Sequence, residues 1–69
     1  MKPIALFVNG EVVQLEGGVT LAALMQQRYG ERDNMAVALN RMVVPRADWA
    51  STELNQADRL DVFHAVAGG

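Results

Sequence analysis

Asn9-Gly10 lies between two apolar, β-prone runs, Ile4 to Val8 and Val12 to Leu15, and it constrains the fold more than any other feature of the chain. A two-residue type I′ turn needs positive φ at both central positions, and asparagine and glycine tolerate this better than any other pair. The dipeptide therefore predicts a β-hairpin. Glu16-Gly17-Gly18 then breaks the pattern.

Thr20 stands directly before Leu21-Ala22-Ala23-Leu24-Met25-Gln26-Gln27-Arg28-Tyr29-Gly30. A threonine N-cap accepts a hydrogen bond from an otherwise orphan amide, and glycine suits the left-handed position after a helix. Leu21, Leu24, Met25 and Tyr29 fall on one helical stripe. Ala23 occupies the place where a glutamate would complete a capping box. One helix of about three turns is predicted. After the polar Glu31-Arg32-Asp33-Asn34, a strand is expected from Met35 to Leu39, then a turn at Asn40-Arg41. A short strand, Met42-Val43-Val44, is stopped by Pro45, which has no N–H for a ladder. Arg46 to Gln56 reads as irregular, with a helical turn around Ala47 to Ser51. Arg59 to Val66 reads as a last strand, with Leu60 and Val62 facing the helix and Arg59, Asp61 and Phe63 facing outward.

The order β-β-α-β-β-β leaves one helical stripe to be covered, and one sheet face can cover it. The fold class expected is α+β: a β-grasp (ubiquitin-like) roll, a mixed sheet of four to five strands packed on one helix. Residues 1–66 form that domain, and 67–69 form a flexible tail.

Composition narrows the function classes. Sixty-nine residues, 51% apolar, make one small domain with a modest core. The chain has no cysteine, which excludes a disulfide, a thiolate nucleophile and a cysteine metal site. Its net charge is −2, and the basic residues Lys2, Arg28, Arg32, Arg41, Arg46 and Arg59 never cluster, so no nucleic-acid partner is expected. No apolar run approaches the roughly 20 residues that cross a bilayer, and the first eight residues are too short for a signal peptide. A cytoplasmic protein with no membrane partner is the expectation.

Catalytic constellations are lacking. His64 is the one histidine, and it has no titratable partner at a suggestive spacing. Asp58 and Asp61 read as solvated carboxylates. Gly17-Gly18 before the helix is not followed by the Lys-Ser/Thr of a phosphate loop. No catalytic residue and no metal site of its own is expected. Gly68-Gly69 is the exception, since a closing glycine pair arises by chance in roughly 0.5% of chains. It reads either as a frayed end or as a slender arm whose terminal carboxylate is the working group. Without Cβ atoms, such an arm threads a narrow cleft and approaches a nucleotide closely. A free carboxylate acylates poorly, so it needs activation, most simply on ATP, and this chain offers no ATP site.

Gly18-Val19-Thr20-Leu21, Val37-Ala38-Leu39-Asn40, Val43-Val44-Pro45-Arg46, Trp49 and the ending Ala67-Gly68-Gly69 together resemble the ThiS family, the sulfur carriers of thiamin biosynthesis. The resemblance runs over nearly the whole chain. Its most specific element is Asn40-x-x-Val43-Val44-Pro45-Arg46-x-x-Trp49 followed by the final glycine pair. A bare Gly-Gly ending is shared with ubiquitin-like modifiers and with small subunits of molybdopterin synthase, so on the tail alone those alternatives stay open.

What the resemblance implies is a protein cosubstrate rather than an enzyme. Gly69 would be adenylated by an E1-like, ThiF-type enzyme using ATP and magnesium. Sulfur, drawn from cysteine through a desulfurase, would then replace AMP and leave a terminal thiocarboxylate. A ThiG-type thiazole synthase would take the sulfur. Gly68 and Ala67 would thread the partner's cleft. Phe63, Val66 and Arg46 are the candidate partner-facing residues. Phe63 is the anchor if it is exposed; Arg46 would meet an acidic patch, or else Asp48 or Glu53. Trp49 and the methionines read as structural. One departure concerns the turn before the last strand, often Asp-Gly-Asp in relatives and Gln56-Ala57-Asp58 here. If its centre has positive φ, Ala57 carries strain that glycine would not.

Overall fold

A computed structural model describes residues 2–30 and 34–64. The first hairpin pairs β1 (Pro3–Val8) with β2 (Glu11–Glu16) antiparallel, Phe7 opposite Val12 and Leu6 opposite Val13. Asn9 and Gly10 take φ of 51° and 83°, the type I′ geometry expected of this pair. Helix α1 (Leu21–Tyr29) starts where Thr20 Oγ1 accepts from the Ala23 N–H at 3.2 Å and ends at Gly30, φ 70°. A second hairpin joins β3 (Met35–Leu39) to β4 (Met42–Val44), with Asn40 and Arg41 both at positive φ. Pro45 ends β4, and a 3-10 helix spans Arg46–Ser51. The last strand described is β5 (Arg59–His64); its predicted continuation through Ala65 and Val66 lies outside the described residues.

One five-stranded sheet results, in the order β2-β1-β5-β3-β4. The chain leaves the first hairpin, crosses through α1 and returns β5 to the middle of the sheet. There β5 runs parallel to β1 and antiparallel to β3. This mixed sheet around a single helix is the β-grasp roll. Strand alternation sends Leu6, Val8, Val37 and Leu60 to the helix side, where they pack with Leu21, Leu24, Met25, Trp49 and Leu54. All nine are buried, and among the described residues no polar or charged side chain shares that core. The irregular segment is tied to the helix start: the Leu21 N–H donates to the Thr52 carbonyl at 2.7 Å, and the Leu54 N–H to that of Val19 at 3.0 Å.

The turn entering β5 has the strain anticipated for it. The Asp58 N–H donates to the Asn55 carbonyl at 3.2 Å, and Ala57 at the third position has φ 68°. Such a turn favours glycine there. Ala57 is held because its N–H donates to the Ala5 carbonyl (2.8 Å), while the Ala5 N–H donates to Gln56 Oε1 (2.9 Å). Ala57→Gly removes the Cβ clash but loosens the unfolded chain, for a net gain of about 0.5–1 kcal/mol. A higher urea midpoint at unchanged m-value checks this; a lower midpoint contradicts the strain.

Candidate functional site

β5 leads toward the glycine pair, so the surroundings of its exposed end define the candidate site. Phe63 projects from the sheet face opposite α1 and is 54% exposed. Cross-strand neighbours share a face, and here the register places Phe63 beside Ala36, Asp61 beside Ala38, and Ala38 beside Val43. On the other side Arg59 lies beside Phe7, itself opposite Val12. The outer face therefore presents Val12, Phe7, Phe63 and Val43, all exposed, with Arg59 and Asp61 between them. Single exposed apolar side chains are ordinary, whereas a set gathered on one face is a candidate contact surface. Sequence reading found only Phe63. Phe7, Val12 and Val43 carried the same period-2 signal, since each alternates with a residue on the helix side.

Arg46 does not join this face. Its guanidinium lies over the Trp49 ring, 5.2 Å from the centroid, beside a groove between α1 and the 3-10 helix that Met25, Tyr29 and Met35 also line. Trp49 is buried, and its Nε1–H donates to the Val44 carbonyl at 2.9 Å, which is the structural role read for it. The two described candidate interface residues, Phe63 and Arg46, thus belong to opposite sides of the sheet. Val66, Ala67, Gly68 and Gly69 lie outside the described residues. Among the described residues no three of His, Cys, Asp and Glu converge to hold a metal, and no helix is long and apolar enough to cross a membrane.

The family model described as the ThiS family matches residues 6–69, the final glycines included. The chain belongs to the ThiS family. It is 30% identical over 64 residues to the sulfur carrier protein ThiS of Escherichia coli, which spans 93% of this chain and 97% of that protein. A protein named thiazole synthase from Magnetococcus marinus is 31% identical over 64 residues, but the chain spans only 20% of its length. Among solved structures, the thiamine biosynthesis protein ThiS from Geobacter metallireducens superposes with a TM-score of 0.83 at 20% identity, covering 96% of this chain and all of that one. At that identity the match speaks for the fold: the ThiS-family β-grasp.

Proposed function

We propose that this chain is a sulfur carrier in thiazole formation for thiamin, acting as a protein cosubstrate. The observation that carries the reading is the family match running through Gly69 on a β-grasp domain. The Gly69 carboxylate attacks the α-phosphorus of magnesium-bound ATP held by an E1-like enzyme, releasing pyrophosphate and forming an acyl-adenylate. A sulfur nucleophile, supplied from cysteine by a desulfurase, displaces AMP and leaves a thiocarboxylate. Because the chain has no cysteine, sulfur cannot ride on it as a persulfide, and the terminal carboxyl is the attachment point. Thiazole synthase is the acceptor. In two proteins of that name, a stretch matching this chain makes up 20% of the length, which supports the pairing. All of these steps run in the cytoplasm.

Intact mass and thiol-directed alkylation test the reading, after incubation with the E1-like enzyme, ATP and sulfide. The expected product has one oxygen exchanged for sulfur on the C-terminal peptide. Alkylation decides the assignment, since oxidation of any of the four methionines gives nearly the same mass, and only a thiocarboxylate reacts in a chain without cysteine. An unalkylated terminus, with the enzyme active on another carrier, overturns the proposal. High-mass lysine conjugates in extracts would point instead to a modifier.

Phe63 anchors the outer face against these partners. Phe63→Thr is expected to change folding stability by no more than about 1 kcal/mol, because the ring is half exposed and threonine suits a strand. Loss of an aromatic anchor costs about 2 kcal/mol of binding, or roughly 30-fold in Kd for the activating enzyme. Titration calorimetry on the wild type and the variant measures it, and an unchanged Kd removes Phe63 from the interface.

A further inference from the structure

Both hairpins turn through an asparagine at positive φ, Asn9 at 51° and Asn40 at 50°, and both asparagines reach β5. The parallel ladder between β1 and β5 comprises two pairs, Phe7 with Arg59 and Val8 with Leu60. It is continued by Asn9, whose N–H donates to the Leu60 carbonyl at 2.9 Å. In an unbroken parallel ladder the next rung would run from the Val62 N–H to the Asn9 carbonyl. Instead the Val62 N–H donates to Asn9 Oδ1, at 2.8 Å. The side-chain oxygen takes the place of a carbonyl that the turn has carried away.

The same substitution occurs across the strand. Asn40 follows Leu39, which pairs with Leu60, so it stands opposite Arg59. Its N–H donates to the Arg59 carbonyl at 2.7 Å, and the Arg59 N–H donates to Asn40 Oδ1 at 2.9 Å. Asn40 Nδ2–H further donates to Asp58 Oδ1 at 3.0 Å, and Asp58 Oδ2 accepts from the Asn55 N–H at 2.7 Å. Turn chemistry alone explains neither set of bonds, because glycine also serves the first position of a type I′ turn.

We propose that Asn9 and Asn40 are positioning residues that lock β5 from both sides and so fix the point and direction in which the chain leaves the sheet toward Gly69. This rests on the carrier reading, in which a partner docked on the outer face must find the terminal carboxyl at a set distance. A β5 whose end is loosened from β1 keeps Phe63 on the outer face through its pairing with β3 but delivers Gly69 out of position. The loss therefore falls on turnover more than on docking.

Asn9→Gly keeps the turn and deletes the rung. Native-state amide exchange is expected to speed at Val62 by roughly tenfold relative to the core amide of Val37, the order a single hydrogen bond supports. Adenylation by the E1-like enzyme should lose kcat several-fold while KM stays within about twofold. Asn9→Asp retains an acceptor oxygen and should restore both. Asn40→Asp should not restore what Asn40→Gly loses, because its carboxylate would face Asp58 Oδ1 where an amide now donates. Unchanged Val62 exchange in Asn9→Gly, or no recovery in Asn9→Asp, overturns the proposal. Adenylation of the wild type with an unchanged Asn9→Gly turnover overturns the positioning role alone. No adenylation of the wild type overturns the carrier reading and the positioning role together.

Discussion

A chain lacking Gly69 is expected to fold as the full chain does, to bind its activating enzyme and to carry no sulfur. The described core is built from residues between Leu6 and Leu60, and none of its members lies near position 69 in sequence. Deleting one residue there removes no buried side chain, so the urea midpoint should move by less than about 0.5 kcal/mol in stability. The chemistry has no such tolerance. In the proposed reaction a carboxylate oxygen must reach phosphorus and sulfur must then reach the same carboxyl group, and a misplacement of an ångström can cost about 100-fold in rate. One residue fewer withdraws the carboxyl by roughly 3.5 Å, beyond what a cleft shaped around the arm can make up. Carriage should fall below detection by mass spectrometry with alkylation, and thiazole formation should fall with it. Retained carriage would place the reacting group elsewhere on the chain. Gly69→Ala keeps the length and tests the other half of the argument, since its Cβ must enter the space glycine leaves open.

Most of this fold was legible because its signals are local. Asn9-Gly10 fixed the first hairpin, Thr20 and Gly30 bounded the helix, and Pro45 stopped the fourth strand; each works through backbone constraints of one or two residues. Alternation along β5 separated Leu60 from Phe63, whereas strain at Ala57 was suggested only by the glycine that relatives often carry there, and φ of 68° bears it out. What sequence could not display was pairing between distant segments. The outer face collects Phe7, Val12, Val43 and Phe63 from four strands, and only the register brings them together. The reach of Asn9 to Val62, 53 positions away, is of the same kind. Asparagine at both sites was fully accounted for by turn geometry, which hid its second use. Arg46 and Phe63, both read as partner-facing, proved to sit on opposite sides of the sheet, a relation that spacing along the chain does not encode.

Leu60→Ala is expected to remove a large part of the stability of this domain. Leu60 is fully buried on the central strand, flanked by Val8 on β1 and Leu39 on β3. Neither neighbour can collapse into the gap without breaking a ladder, so a cavity remains, and such truncations cost about 2–5 kcal/mol. A chain of 69 residues has about 3–10 kcal/mol in total at the usual 0.05–0.15 per residue. The loss is thus about half of the whole at mid-range, and urea titration should show a strongly lowered midpoint at 25 °C. Val12→Ala, an equally apolar site on the outer face and 65% exposed, should shift the midpoint little. A loss under about 1 kcal/mol at Leu60 would mean that the sheet does not pack on α1 as described. Within β5, Leu60 faces the core, and Phe63, three residues later, lies on the opposite face, where the carrier reading docks the partner. Under that reading stability rests on one face of β5, docking on the other and chemistry on Gly69, so docking or chemistry can be removed alone only from the outer face or from the glycine pair. A substitution at Leu60 cannot isolate function, because it destabilises the strand that presents it.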